Sequence, residues 1–250
     1  EGKDVESEIN SRIIGNNLII DTNRPTTLKK RYLVENQKIF RVSKLDNSNI
    51  DTNLENEIIS KINKLSDKAD CFVVSDFVYG VITERVLKKI KLIADKKNIK
   101  IIGDLQCSSQ IGSIAKFQKF SLICPNEREA RIALHDKNSG LENLTRKLME
   151  YTSTENLIMK LGSKGFIAYQ GNKKSKKVSQ SFPALSINPV DVSGAGDALL
   201  AAMAIGMSNK QDVITSSAIG CCISCLAVEN LGNKPIKKDI LIEFIKNLLD

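Results

Sequence analysis

The chain has 250 residues, 42% of them hydrophobic and 26% charged, which allows one large or two small domains and excludes a disordered or collagen-like protein. No apolar run approaches the roughly 20 residues of a membrane helix, and the first residues lack the pattern of a signal segment, so we expect no membrane partner. The net charge of +8 would suit nucleic acid, but the lysines are scattered. The densest run, at 173–177, has no interleaved aromatic residues, so we expect a solvated hairpin tip and no nucleic-acid partner. An acidic small-molecule partner would fit the charge equally well.

The six cysteines predict buried, reduced thiols. Cys222 and Cys225 have the Cys-x-x-Cys spacing of some metal and redox sites. A second pair is missing, and His135 is the single histidine. Small buried side chains are therefore the expected role, and free thiols predict a cytoplasmic protein.

Residues 1–50 differ in pattern from the rest of the chain. Short β-rich pieces at 18–20, 26–33 and 37–42 are separated by Asn- and Pro-containing turns. This pattern predicts a small antiparallel sheet or hairpin that serves as a lid or a partner-facing flap. We therefore divide the chain into a lid-containing part, 1–50, and an α/β core, 51–250.

Beyond residue 50, strands alternate with helices. The hydrophobic spacing predicts helices at 54–65, 83–95, 127–134, 141–151, 195–207, 211–228 and 237–249, and strands at 71–74, 99–102, 120–124, 157–159, 166–169 and 178–182. Such alternation is typical of βαβ units and a mostly parallel sheet. Ligands of these sheets bind beyond the carboxyl ends of the strands, here at 75–76, 104, 125–126 and 160–162.

The most informative stretch is Asp-Val-Ser-Gly-Ala-Gly-Asp at 191–197. Small residues at 194–196 open a helix, so their N–H groups and the helix dipole can bind an anion. A carboxylate placed there, Asp197, would repel a phosphate unless it serves as a general base. An Asp that caps a helix behind a Gly turn is the structural alternative.

This stretch matches the C-terminal signature of the ribokinase-like (PfkB) family of carbohydrate kinases, which the chain resembles over nearly its whole length. The resemblance implies a three-layer α/β/α fold with a mostly parallel sheet and a small β lid. It also implies transfer of the γ-phosphoryl group of ATP to a sugar hydroxyl, with Asp197 as the base. The amides of Gly194, Ala195 and Gly196 would then form the anion hole.

Other segments resemble further family landmarks. Asn126 and Glu129 form an Asn-x-x-Glu pair that would organise a hydrated Mg²⁺, although these residues also suit a capped helix start. The remaining nucleotide-side residues that the resemblance implies are Lys160, Gly162, Gly165, Ser193, Ala218, Val228 and Gly232. Potassium activation is common in the family, but no residue here is assigned to it.

One branch of the family is most similar, the D-glycero-D-manno-heptose 7-phosphate kinases. These kinases form half of the bifunctional heptose kinase/adenylyltransferase of lipopolysaccharide synthesis. The segments 24–31, 36–41 and 73–80 carry this similarity. It implies contacts of the lid residues Arg31, Gln37 and Arg41 with a sugar phosphate or a partner subunit, and a homodimer formed through the lid. Substrate contacts would also come from Asp76, Asp104 and Asp191.

Three features depart from that branch. Gln106 stands where the branch has the lysine of Asp-Pro-Lys-Gly, and Tyr79 stands where a lysine usually precedes Gly80. The family's N-terminal sugar-binding segment and the branch's adenylyltransferase half are not in this sequence. These departures leave open a PfkB kinase for another sugar or nucleoside, or a non-catalytic nucleotide-binding relative that acts as a regulatory or assembly subunit.

Two other nucleotide-binding classes lack their motifs. No Gly-x-Gly-x-x-Gly follows a strand, which argues against a dehydrogenase. No Walker A sequence is present either, which argues against a P-loop kinase.

Overall fold

A computed structural model describes residues 17–34, 37–107, 111–171, 178–232 and 234–249. These residues form two compact units, one within 17–69 and 76–99 and the other within 70–75, 100–107 and 111–249. The predicted lysine-rich hairpin tip at 173–177 lies outside the described residues. The division of the chain at residue 50 stays a prediction.

The first unit contains an antiparallel hairpin. Its strands are β1, Leu28–Val34, and β2, Gln37–Lys44. Tyr32 lies opposite Phe40, and their rings stack with centroids 4.4 Å apart. The predicted hairpin is therefore present, but the predicted β-piece at 18–20 is wrong, because those residues have no regular structure and pair with no described strand.

The described residues of the first unit also contain two α-helices, α1, Thr52–Leu65, and α2, Glu84–Lys97. Each helix begins at a polar cap: the side chain of Asp51 accepts a hydrogen bond from the Leu54 amide, and that of Thr83 from the Val86 amide. The helices also share a carboxylate, since Glu55 of α1 accepts hydrogen bonds from Thr83 and Arg85.

The second unit is built on a six-stranded mixed sheet in the order β3-β4-β5-β6-β7-β8. The strands are β3, Cys71–Asp76, β4, Lys100–Leu105, β5, Leu122–Ile123, β6, Asn156–Lys160, β7, Phe166–Gln170, and β8, Val178–Phe182. The strands β4, β5 and β6 are parallel, whereas β7 and β8 are added in antiparallel orientation. The carboxyl ends of the three parallel strands therefore meet at one edge of the sheet.

Helices cover both faces of this sheet. They are α3, Glu127–Leu134, α4, Leu141–Thr152, α5, Ala195–Ser208, α6, Val213–Val228, and α7, Lys238–Leu249. Side chains alternate across β6: Ile158 packs with Leu199 and Met203 of α5, while α4 contacts the same strand. This arrangement confirms the predicted α/β fold with a largely parallel core. No helix among the described residues is long and apolar enough to cross a membrane.

Candidate active site

The predicted edge of the sheet brings polar residues of three strands together. Asp104 lies near the end of β4, Asn126 lies three residues beyond the end of β5, and Lys160 ends β6. Asn126 and Lys160 form a parallel bridge, and the Lys160 amide donates to the Pro125 carbonyl over 2.9 Å. The strand order alone therefore places these residues side by side.

A buried ion pair joins two of these strands. Lys160 Nζ lies 2.6 Å from Asp104 Oδ1. The Asp104 carboxylate is 1% exposed, and its Oδ2 atom is buried without a hydrogen-bond partner among the described residues. Burial alone would lower the pKa of Lys160, but the carboxylates of Asp104 and Glu129 outweigh it, so the pKa is raised. Lys160 therefore carries its positive charge at this edge.

The Gly-rich stretch forms the start of α5. Gly194 has a φ of 85°, in the left-handed region that glycine adopts without strain, and it is the N-cap of the helix. The first-turn N–H groups of a helix have no intrahelical partner, so they can bind an anion. Gly196 faces Lys160, since a Cβ at position 196 would lie 3.9 Å from Lys160 Nζ. The predicted anion hole and the buried ammonium are thus neighbours.

Asp197 is exposed in the first turn of α5 and accepts a hydrogen bond from Gln106, the residue that follows β4. Gln106 Nε2 donates to Asp197 Oδ1 over 2.7 Å. The negative charge of Asp197 also contributes to a raised pKa of Asp104, for which burial is the largest cause. The candidate base therefore lies close to the Asp104–Lys160 pair.

The end of α6 holds the loop that precedes α5. The Val228 carbonyl accepts from the amides of Val190 and Asp191 at 2.8 and 3.1 Å. Asp191 Oδ1 in turn accepts from the Ser193 amide over 3.0 Å. Val228 itself is buried, with 8% of its surface exposed, and its carbonyl makes the contact with the loop.

A tight turn follows Lys160. Gly165 has a φ of 84°, and a Cβ there would lie 2.1 Å from the Phe182 carbonyl oxygen. The Leu161 amide donates to the Gly165 carbonyl, and the Gly165 amide to that of Gly162. The turn therefore needs glycine at 165, and Gly162 at its tip is exposed.

Asn126 and Glu129 form a capping box at the start of α3. Asn126 Oδ1 accepts from the Glu129 amide at 2.8 Å, and Glu129 Oε2 accepts from the Asn126 amide at 2.9 Å. Glu129 Oε1 accepts from the Cys107 amide at 3.3 Å. Burial raises the pKa of Glu129, and the charge of Lys160 opposes that shift.

The side-chain oxygens of Asn126 and Glu129 fit a hydrated Mg²⁺ better than a Mg²⁺ that they bind directly. Each carboxylate oxygen has a second lone-pair direction besides the one that its backbone bond uses. Among the described residues, no group of three His, Cys, Asp or Glu side chains is arranged to hold a metal ion. Mg²⁺ keeps several waters in such sites, so Asn126 and Glu129 fit an ion bound through water.

A groove of about 720 Å³ opens beside this cap. Asn126, Lys160 and Gly162 line it on the side of the sheet. The α3 side adds three basic side chains, Arg128, Arg131 and Lys137, and the Arg131 guanidinium pairs with the Glu127 carboxylate at 2.7 Å. This charge suits a ligand that carries several negative charges.

Other predicted nucleotide residues are not gathered at this edge. Ala218 is exposed and precedes Val228 by ten residues, which is about 15 Å along α6. Gly232 lies beyond the helix in an exposed turn with a φ of 85°.

The predicted lid and substrate residues of the first unit fall on two segments. Arg31 and Arg41 are exposed and directly opposite across the hairpin, and Gln37 begins β2. Asp76 is buried at the end of β3, where its Oδ1 accepts from the Val78 amide.

Tyr79 is a buried part of the first unit. It stands where the related branch has a lysine and is 9% exposed. The Lys29 ammonium lies 5.1 Å from the centroid of its ring.

Two features of the site were absent from the sequence-based prediction. The first is the Asp104–Lys160 ion pair, although the parallel strand order could have revealed it, because both residues were expected at the same edge. The second is the hydrogen bond from Gln106 to Asp197. That contact joins residues 91 positions apart and has no local sequence signal.

The fold and this edge together define a class of protein. The edge of an α/β sheet carries a Gly-rich helix start, an adjacent carboxylate and a buried ammonium. Such groups can stabilise a phosphoryl group and accept a proton from the hydroxyl to which it is transferred. The sequence profile described as pfkB family carbohydrate kinase matches residues 1–238. The chain belongs to this family, and the predicted enzyme class, a carbohydrate kinase, is thereby confirmed.

Curated relatives of the chain are similar over most of its length. The bifunctional protein HldE of Helicobacter hepaticus is 24% identical over 91% of the chain and 46% of its own length. HldE of Campylobacter jejuni subsp. doylei is 28% identical over 90% of the chain and 47% of its own length. The chain thus spans about half the length of the curated relatives it matches.

The structural neighbours confirm the ribokinase-like fold. Ribokinase of Arabidopsis thaliana, solved with ribose and ATP, has a TM-score of 0.65 at 18% identity, over 90% of this chain and 70% of that one. Phosphofructokinase-2 of Escherichia coli, solved with potassium, has a TM-score of 0.67 at 13% identity, over 84% and 67%.

Proposed function

We propose that this chain transfers the γ-phosphoryl group of ATP to a hydroxyl of a sugar, and that the sugar is heptose 7-phosphate. The observation that carries the proposal is the meeting of three groups at one sheet edge. These are the helix start at Gly194–Gly196, the Asp197 carboxylate beside it, and the Lys160 ammonium held by Asp104.

The proposed reaction is an in-line displacement. Asp197 takes the proton of the attacking sugar hydroxyl, whose oxygen forms a bond to the γ-phosphorus. The bond from that phosphorus to the β–γ bridging oxygen breaks, and ADP leaves with the electron pair. The amides of Gly194, Ala195 and Gly196 face the charge on the transferring group, so catalysis is mainly positioning and electrostatic stabilisation.

The groove and the turn support the placement of ATP. Lys160 and Gly162 line the 720 Å³ groove with the basic side chains of α3. We propose that the phosphates lie along this turn, with Gly165 and Ser193 nearby, and that Ala218, Val228 and Gly232 lie on the adenine side. The structure of Arabidopsis ribokinase was solved with ribose and ATP, which supports ATP as the co-substrate.

We also propose that the enzyme uses Mg²⁺ and potassium. Asn126 and Glu129 would hold Mg²⁺ through water molecules. When it is bound, Mg²⁺ neutralises charge on the phosphates. We include potassium as an activator because phosphofructokinase-2 was solved with it, but no residue is assigned to it.

The sugar is proposed from the similarity to HldE proteins. Arg31, Gln37 and Arg41 stay proposed contacts for a sugar phosphate or a partner subunit, because the planar guanidinium of Arg suits phosphate. Asp76, Asp104 and Asp191 stay proposed contacts for the sugar.

The hairpin supports a proposed homodimer. Among the described side chains of its two strands, large apolar ones are exposed at Tyr32, Val34, Ile39, Phe40 and Val42. An exposed two-stranded ribbon with open edges invites pairing with a second copy. We also propose a cytoplasmic location, which the six free cysteines support.

The test is ADP formation from Mg·ATP across a panel of heptose 7-phosphate, fructose 6-phosphate, fructose, ribose and adenosine. Asp197→Asn removes the proposed base, and we expect kcat to fall by a factor of about 1,000 while Mg·ATP still binds. Asp239→Asn is the matched control, because Asp239 lies in the first turn of α7 and should leave kcat unchanged.

The outcomes separate the proposals. Turnover of heptose 7-phosphate alone supports the full proposal, and turnover of another sugar retains the kinase and removes the heptose. Mg·ATP binding without turnover of any panel member would favour a non-catalytic nucleotide-binding relative.

A further inference from the structure

Two charged or polar contacts at the sheet edge take no part in the proton transfer and phosphoryl transfer described above. Gln106, at the position of the related branch's lysine, donates from Nε2 to Asp197 Oδ1 over 2.7 Å. The ammonium of Lys160 lies 2.6 Å from Asp104, and the side chain is one-fifth exposed. The end of β4 thus presents a neutral donor, and the end of β6 presents a cation.

The position of Lys160 points toward the anion hole. Gly196 lies so close that a Cβ on it would be 3.9 Å from Lys160 Nζ and 4.0 Å from Cδ. Lys160 also lines the basic groove. An anion bound at the start of α5 would therefore face the Lys160 ammonium, which the carboxylate of Asp104 holds at 2.6 Å.

The position of Gln106 points to the base. Its amide donates to Oδ1 of Asp197, so this contact sets the orientation of the carboxylate and leaves Oδ2 without this donor. A neutral amide orients the carboxylate without placing a full positive charge against it. A lysine at 106 would form an ion pair with Asp197 and make it a weaker base.

We infer that this chain supplies the cation that faces the transferred phosphoryl group from β6, as the Lys160 ammonium held by Asp104, and uses Gln106 to orient the Asp197 carboxylate. Lys160 is then a catalytic residue, and Gln106 is a positioning residue. The inference rests on the proposed kinase function and deepens it.

Three variants that remove or move the lysine charge test the inference. Lys160→Gln removes the cation, and we expect kcat to fall about 100-fold, with a change of less than about threefold in the KM for the sugar. Gln106→Lys alone should lower kcat about tenfold through the ion pair with Asp197. In the double variant, the lysine at 106 replaces the lost cation, so kcat should rise about tenfold above that of Lys160→Gln.

Gln106→Met tests the positioning role. Methionine has a similar length but no donor, so we expect kcat to fall while both KM values stay within about twofold. A loss confined to KM, or an unchanged kcat, would overturn the role of Gln106.

A binding measurement needs no turnover. Isothermal titration should show that Lys160→Gln weakens binding of a non-hydrolysable Mg·ATP analogue about tenfold more than binding of Mg·ADP, because the ammonium faces the γ-position. Lys91→Gln is the matched control, since it removes a lysine from an exposed pair with Asp95 and should change neither constant.

The turnover and binding measurements test the kinase function and the role of Lys160 separately. If the wild-type chain phosphorylates no sugar, the proposed function fails, and the ratio of analogue to ADP affinity still decides the role of Lys160. If Lys160→Gln does not fold, Asp104→Asn with Lys160→Gln removes both charges and is measured instead. Two results overturn the inference. One is that Lys160→Gln leaves the ratio of analogue to ADP affinity unchanged. The other is that Gln106→Lys with Lys160→Gln has a kcat no higher than that of Lys160→Gln alone.

Discussion

Replacing Asp104 by Asn should destabilise the protein by about 3 kcal/mol. The substitution removes the carboxylate that lies 2.6 Å from Lys160 Nζ and leaves the ammonium buried, with one-fifth of its side chain exposed. Removing one partner of a buried pair costs about 3–5 kcal/mol. The lower end applies because the Asn amide oxygen can still accept a hydrogen bond and Glu129 stays nearby to share the charge.

Urea unfolding at pH 7, followed by circular dichroism, measures this cost by linear extrapolation. The surface variant Asp95→Asn breaks the exposed pair with Lys91 and should cost less than about 0.5 kcal/mol. Lys160→Met added to Asp104→Asn removes the stranded ammonium, so the double variant should be more stable than Asp104→Asn alone.

Two results would contradict this prediction: Asp104→Asn costs no more than the surface variant, or Lys160→Met makes the double variant still less stable. Either result would mean that Lys160 reaches water when Asp104 is neutral, so that the pair is not an obligatory buried contact.

Three further predictions concern the turn, the core and acid stability. Gly165→Ala should lower the free energy of unfolding by about 2 kcal/mol and raise the KM for ATP. The added Cβ would lie 2.1 Å from the Phe182 carbonyl oxygen at a backbone φ of 84°. Urea unfolding measures the first effect, and initial rates measure the second. Leu148→Ala should cost about 3 kcal/mol of unfolding free energy, since the side chain is fully buried, while kcat stays unchanged. The Lys147 ammonium and the Ser139 groups hold the pKa of Asp136 below its ordinary value. The stability it contributes is therefore complete above the unfolded pKa of about 3.9 and is lost as the pH falls toward the lower folded value. Asp136→Asn should accordingly narrow the stability difference between pH 6 and pH 3, and an unchanged difference would contradict the assignment.

Local patterns predicted most of the secondary structure. The helix at 127–134 and the strand at 178–182 have the predicted bounds, because caps, turns and hydrophobic spacing are short-range signals. The strand expected at 120–124 is shortened to Leu122–Ile123. The β-piece expected at 18–20 does not form, since an apolar run becomes a strand only when another strand pairs with it.

The sequence by itself determined the class of chemistry. The run at 191–197 contains a helix start without bulky side chains and an adjacent carboxylate, and both properties follow from residue type and spacing. The alternation of strands and helices likewise determined which edge of the sheet carries the site.

Only the tertiary structure decided how the charges are arranged there. Whether Lys160 pairs with Asp104, 56 positions away, depends on the strand order β4-β5-β6. The contact of Gln106 with Asp197 depends on how α5 packs against the end of β4. A single chain encodes such long-range contacts through packing of the whole core, so no local window of the sequence contains them.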